Sequence, residues 1–168
     1  FPTSGIIYDT EAIKTMYTTG RGGVTMRARA TIEEDKGKSK IIITEIPYQL
    51  NKSSLVEKIA DLVRDKKITG ISDLRDESNR EGIRVVIELK RDSYPNKVLN
   101  QLFKMSPMQQ NFNMNMIALV DGIQPRLLNL KQVLEYFLIH RKEVITKRTI
   151  YELKVAKARA HILEGLKI

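Results

Sequence analysis

Lys40-Ile41-Ile42-Ile43-Thr44-Glu45-Ile46, closed by Pro47, is apolar on both sides of an extended chain. Side chains in a strand alternate between its two faces. Ile41, Ile42 and Ile43 are therefore all buried only if the strand lies inside a sheet with cover on both sides. Upstream, Val24–Glu33 alternates instead. Val24, Met26, Ala28, Ala30 and Ile32 form a dry face; Thr25, Arg27, Arg29, Thr31 and Glu33 form a polar, cationic one. The charged run Glu34-Asp35-Lys36-Gly37-Lys38 between the two segments reads as a hairpin turn.

Downstream, a helix is expected to start near Asn51–Ser54: Leu55, Ile59, Leu62 and Val63 recur at helical spacing, and Ser54 with Glu57 has the spacing of a capping box. Two strands follow, Ile68–Leu74 and Gly82–Lys90, joined by the polar turn Asp76–Glu81. A helix over Tyr94–Met105 carries Pro95 in its first turn and Val98, Leu99, Leu102 and Phe103 on its apolar face. Asn111–Val120 reads as a further strand and Asp121-Gly122 as a turn. From Lys40 to Val120 the order strand, helix, strand, strand, helix, strand predicts an α+β, ferredoxin-like two-layer sandwich. Its antiparallel sheet is extended by the Val24–Glu33 hairpin strand, with helices on one face. Before it, Glu11–Thr19 reads as a short helix broken by Gly20-Arg21-Gly22-Gly23.

The composition changes near Asn129, which divides the chain into an expected α/β body over residues 1–128 and a long helix over residues 129–168. That last segment carries nine Lys/Arg against four Glu, +5 of the chain's +9. At about 1.5 Å per residue it spans roughly 60 Å, too long for the body of a small domain. A 3–4 spacing runs through Leu134, Phe137, Arg141, Val144, Arg148, Tyr151, Val155, Ala158 and Ile162, and a second stripe through Ile139, Ile150, Leu153 and Leu163. The first half is apolar enough to be expected against the sandwich. The second half reads as one strand of an antiparallel coiled coil, with Arg141 and Arg148 interrupting a strict heptad. The lack of a helix-ending signal predicts a piece of a larger protein.

Catalytic chemistry is hard to find. No Ser, His and acid fall in a nucleophile arrangement. His140 and His161 would stand roughly 30 Å apart on one helix, too far to share a metal. Asp73, Asp76 and Glu77 read as a solvated charged turn with Arg75 and Arg80 as counter-ions rather than as a metal site. Gly20-Arg21-Gly22-Gly23 lacks the Lys-Ser/Thr of a nucleotide-binding P-loop, though a turn with free N–H groups and Arg21 suits a phosphate. With no cysteine there are no disulfides or thiolate metal sites, which fits the expected cytoplasmic location. No stretch is long or apolar enough for a membrane span, and Phe1-Pro2-Thr3-Ser4-Gly5 does not read as a secretory signal.

The cations point to a polyanion, in keeping with a pI near 9.7. Arg27 and Arg29 are expected to project side by side, about 7 Å apart, with Arg21 just ahead of them. Lys36 and Lys38, followed by Lys40, would continue the stripe on the neighbouring strand. The plain alternative is a solvated edge. Aromatics do not interleave these charges and no recognition helix rich in Arg, Asn or Gln is visible. Binding to a duplex backbone, indifferent to base sequence, is the expectation.

Several runs carry a family resemblance. Phe1-Pro2-Thr3 with Gly5-Ile6-Ile7, Gly20-Arg21-Gly22, Thr44-Glu45-Ile46-Pro47-Tyr48-Gln49 with Asn51-Lys52, and Asp73-Leu74-Arg75-Asp76-Glu77-Ser78 resemble bacterial type IIA topoisomerases. So do Ile87-Glu88-Leu89-Lys90-Arg91 and Ala158-Arg159-Ala160-His161-Ile162-Leu163-Glu164-Gly165. Leu119-Val120-Asp121-Gly122 followed by Pro125-Arg126 is more similar to the DNA gyrase branch, in its breakage-reunion subunit, than to the topoisomerase IV branch. Ser4 departs from the Gly usual in the family. The resemblance implies a DNA-binding tower domain followed by the first helix of a coiled-coil arm, within an ATP-dependent enzyme that passes one duplex through another. It implies as partners double-stranded DNA, the B subunit of gyrase, and a second copy of the breakage-reunion subunit. Magnesium and ATP would be held by the B subunit, with no cofactor or metal on this segment. The family's cleaving tyrosine lies in a winged-helix domain expected upstream of residue 1. Tyr8, Tyr17, Tyr48, Tyr94, Tyr136 and Tyr151 do not match its motif, so this segment alone is expected to be catalytically silent. Two other classes fit a basic sandwich: a ferredoxin-like RNA-binding module and a protein–protein assembly module.

Overall fold

A computed structural model describes residues 1–35 and 37–167; Lys36, one of the expected cationic contacts, lies outside the described residues. The elements in chain order are β1 (Ile6–Ile7), α1 (Thr10–Thr19), β2 (Arg21–Arg27), β3 (Arg29–Asp35), β4 (Lys38–Glu45), α2 (Lys52–Arg64), β5 (Ile71–Asp76), β6 (Val85–Leu89), α3 (Pro95–Met105), β7 (Gln109–Asn115), β8 (Ile117–Val120), β9 (Gln124–Leu127) and α4 (Leu130–Gly165). They fall into two compact units, residues 1–13 with 23–113 and residues 14–22 with 114–168.

The first unit is built on β4. It pairs antiparallel with β3 on one side and β6 on the other, and β5 completes the order β3-β4-β6-β5. Ile41, Ile42 and Ile43 are all buried, as an interior strand requires. Ile41, Ile43, Val85, Ile87 and Leu89 share one core with Leu55, Ile59 and Leu62 of α2 and Val98 and Leu102 of α3. Both helices thus cover the same face. The α+β class, the antiparallel sheet with helices on one face and the long terminal helix are as the sequence predicts.

The strands differ in detail. Val24–Glu33 does not run as one strand. The chain leaves the ladder at Ala28, whose N–H donates to the Met108 carbonyl at 2.7 Å, and the β3–β4 register shifts between Arg29 and Ala30. The part before the break, β2, joins a separate three-stranded sheet of order β1-β2-β7. The closing strand of the expected sandwich is therefore drawn off to β2, and β3 takes the place beside β4. Asn111–Val120 is likewise divided, into β7 and β8. The break is at Met116, whose N–H donates to the Gly20 carbonyl at 2.8 Å and whose carbonyl accepts from the Leu128 N–H at 3.0 Å. α2 starts within the expected Asn51–Ser54, with Asn51 as its cap in place of the Ser54–Glu57 box. Asn51 accepts from the Ser53 and Ser54 N–H groups at 2.9 and 3.3 Å, so the helix begins at Lys52.

The second unit holds the end of α1, the β8–β9 hairpin and α4. Gly20, with φ +80°, ends α1 by donating its N–H to the Met16 carbonyl at 2.8 Å. The hairpin turns through Asp121 and Gly122 at φ +57° and +74°. α4 opens on a capping box. Asn129 Oδ1 accepts from the Gln132 N–H, and Gln132 Oε1 accepts from the Asn129 N–H, both at 2.9 Å. Its 36 residues span about 54 Å, and none of them is buried. The expectation that its first half packs away its apolar stripe is not met: Leu134, Phe137, Leu138 and Ile139 are all exposed. The turns support one another through i,i+4 pairs instead, among them Lys131–Glu135, Glu143–Lys147 and Arg148–Glu152.

Candidate nucleic-acid interface

The expected cations that the structure describes sit in different settings. Arg27 is half-buried, with its guanidinium over the Tyr8 ring at 4.4 Å and the Phe103 ring at 4.5 Å. Its Nε donates to Gln109 Oε1 at 2.7 Å. Two ring faces and a hydrogen bond fix this side chain in place, each cation–π contact contributing about 0.5–2 kcal/mol. Arg29 is more open, its side chain 55% exposed, and its Nε donates to Glu45 Oε2 at 3.0 Å. Such a surface pair holds weakly, within about 1 kcal/mol. The chain break at Ala28 gives the two arginines different anchors, β7 for Arg27 and β4 for Arg29. Arg21 is exposed at the start of β2, in the second unit.

On the β3–β4 hairpin, Lys38 is exposed, and Lys40 stands opposite Glu33 in register. An acidic residue across the ladder from Lys40 offsets part of its charge. Gly20, in the run Gly20-Arg21-Gly22, has a structural duty: its carbonyl accepts from Met116, and its missing Cβ lets the Leu128 backbone approach.

A second charged constellation sits on β5 and the loop after it. Lys52 Nζ meets Asp76 Oδ2 at 2.6 Å. Arg75 bridges Asp73 at 2.7 Å, Glu88 at 2.7 Å and Glu77 at 3.4 Å, and Arg84 meets Glu77 at 3.2 Å. Asp73, Asp76 and Glu77 are thus tied to Arg75, Lys52 and Arg84. Among the described residues no group of three or more His, Asp or Glu is arranged to hold a metal ion. The Lys52 contact, helped by the Ser78 hydroxyl and N–H, holds the Asp76 carboxyl down at about 2, against an ordinary 3.8. The bond joins the Asn51-Lys52 motif at the start of α2 to the Asp73–Ser78 motif on β5, two of the runs that carry the family resemblance.

That depression has a sign. A carboxylate whose folded pKa lies below its unfolded one adds stability that is complete above the unfolded value and is lost as pH falls through the folded one. The window here runs from about 4 down to about 2. Lys52→Met is expected to return Asp76 toward the ordinary carboxylate range and to move acid unfolding to higher pH. Carboxyl-carbon NMR titration reads both, and an unaltered protein in which Asp76 titrates near 4 would reject the pairing.

Residues 1–168 match the family of the A subunits of DNA gyrase and topoisomerase IV, and the chain belongs to that family. Within it, the chain is 59% identical over 169 residues to the DNA gyrase A-subunit of Clostridium acetobutylicum, covering 100% of this chain and 20% of that protein. It is 54% identical to the DNA gyrase A-subunit of Staphylococcus aureus strain MRSA252 and 53% identical to that of Haemophilus influenzae, in each case covering 100% of this chain and 19% of the relative. The chain thus spans about a fifth of the length of these relatives. No helix among the described residues is long and apolar enough to cross a membrane.

Proposed function

We propose that this chain is a DNA-holding part of the breakage-reunion subunit of an ATP-dependent type II DNA topoisomerase of the gyrase kind. In this reading residues 1–128 form the tower, which grips the flanks of the cleaved duplex through its backbone. Residues 129–168 form the first helix of the coiled-coil arm, which carries the gate's motion. The parent would work in the cytoplasm with the B subunit of gyrase and a second copy of the breakage-reunion subunit, and the B subunit would hold ATP and magnesium. This segment contributes grip and leverage and no catalytic group. The observation that carries the reading is the family match along all 168 residues, joined to a net charge of +9.

Arg21, Arg27 and Arg29 are the proposed phosphate contacts, with Lys36 and Lys38 secondary. Arg27 is built into its surroundings, so Arg21 and Arg29 make the cleaner test. Arg21→Ala with Arg29→Ala in the full-length protein is expected to flatten the dependence of log K on log salt by about two phosphate contacts' worth, close to 0.9 each. An unchanged slope would reject the assignment. An RNA-binding role is disfavoured by Phe112, the one aromatic residue on the described strands. It packs edge-on against Phe1 at 4.8 Å and lies 6.2 Å from Tyr48, rather than standing free for a base. An assembly role gains some support from the exposed Ile117, Leu119 and Ile123 of the β8–β9 hairpin. It predicts that substituting these three changes how the subunits associate and leaves DNA affinity alone.

A further inference from the structure

β7 breaks the usual rules for a strand. Gln109-Gln110-Asn111-Phe112-Asn113-Met114-Asn115 contains no β-branched residue, no charge and three asparagines, a residue type depleted in sheets. It also lies at the edge of its sheet, where charged residues usually guard the open side. A local rule broken without evident structural gain is where function is to be sought.

The side chains explain what the strand offers. Thr25 Oγ1 donates to Asn111 Oδ1 at 3.0 Å, and Arg27 Nε donates to Gln109 Oε1 at 2.7 Å. A guanidinium N–H only donates, so Gln109 must turn its oxygen toward Arg27 and its NH2 away from it. The Thr25 hydroxyl orients Asn111 in the same sense. Asn113 comes over Gly23, where an added Cβ would sit 2.7 Å from Asn113 Oδ1, so a larger residue at 23 would displace it. Asn111 and Asn113 are exposed, and Gln109 is half-buried beside the clamped arginine. Residues two apart on a strand stand about 7 Å from each other on one face. The face therefore presents the amides of Gln109 and Asn111 with their NH2 groups turned from their bonded partners, and Asn113 beside them, next to a rigid guanidinium.

We propose that Gln109, Asn111 and Asn113 form a salt-insensitive contact row for the phosphodiester backbone of duplex DNA, continuing the grip of Arg27. This inference rests on the DNA-holding reading above and divides that grip into two physical kinds. Cations displace condensed counterions when they meet phosphate and so weaken with salt; neutral amides displace none. Phosphate and sugar oxygens only need donors, and these amides are already turned outward to supply them.

The test uses the full-length protein in complex with its partner. Gln109→Ala, Asn111→Ala and Asn113→Ala together are expected to weaken duplex binding about tenfold at every salt concentration, with the salt slope unchanged. Gln109→Glu with Asn111→Asp keeps the shapes and replaces donors by anionic acceptors; it is expected to bind more weakly still, most of all at low salt. This pair decides the matter if the alanine variant does not fold. Wild-type affinity in either folded variant would overturn the proposal. So would a loss of association between the subunits with DNA affinity intact, which would make the β7 edge a protein interface. If Arg21→Ala with Arg29→Ala changes the slope while the amide variants do nothing, only this inference fails; if neither set changes binding, the DNA-holding reading fails as well.

Discussion

Gly20→Ala is expected to melt the second unit locally. At φ +80° an L side chain is strained, and the added Cβ would sit 2.2 Å from the Leu128 carbonyl oxygen and 2.9 Å from its carbon. Both are backbone atoms, so no rotamer change relieves the overlap. The left-handed conformation alone costs an alanine about 1 kcal/mol. Forcing apart two backbones that are both hydrogen-bonded to Met116 raises the total to the order of 3 kcal/mol or more. Three links meet at this point: the end of α1 through Met16, the β7–β8 break through Met116, and the end of β9 through Leu128. Amide exchange at Gly20, Met116 and Leu128 should accelerate together in the variant. Wild-type protection at all three would show that the close approach does not matter.

Ile87→Ala is expected to have its effect in the first unit. Ile87 is fully buried in β6, between Ile41 of β4 and Leu74 of β5 in register, and belongs to the core shared with α2 and α3. Truncating it removes apolar burial and leaves a cavity between two layers, a loss of about 2–5 kcal/mol. Denaturant unfolding followed through the exchange of β4 and β6 amides measures it. A loss below about 1 kcal/mol would mean that the helices close onto the gap.

Periodicity made the central strand, α2 and α3 legible in the sequence, because burial itself imposes the period. Ile41-Ile42-Ile43 has no exposed face to offer, and Pro95 could only open a helix. The break at Ala28 was not legible for the same reason. Val24, Met26, Ala28, Ala30 and Ile32 keep their alternation straight through it, and all are buried or half-buried. What divides the strand is a hydrogen bond to Met108, a partner far along the chain that alternation does not encode. The candidate interface shows the same divide. Arg27 and Arg29 are visible as cations in any reading of residues 21–29. The rings that clamp Arg27, the carboxylate beside Arg29 and the Glu33 opposite Lys40 come from other elements, so part of the expected stripe is neutralised. The start of α2 was legible to within Asn51–Ser54, but Ser54 and Glu57 imitate a capping box and Asn51 makes the cap. The amide row on β7 left a compositional trace, three asparagines within seven strand residues, that charge-based reading passes over.

α4 buries none of its residues. A helix with no buried residue is governed, in this chain by itself, by helix–coil statistics rather than by a cooperative core. The Asn129–Gln132 box nucleates it at its start, so heating loosens first the turns far from that box. Its melting is therefore a gradual slope and not a step, and its effective reach is a function of temperature.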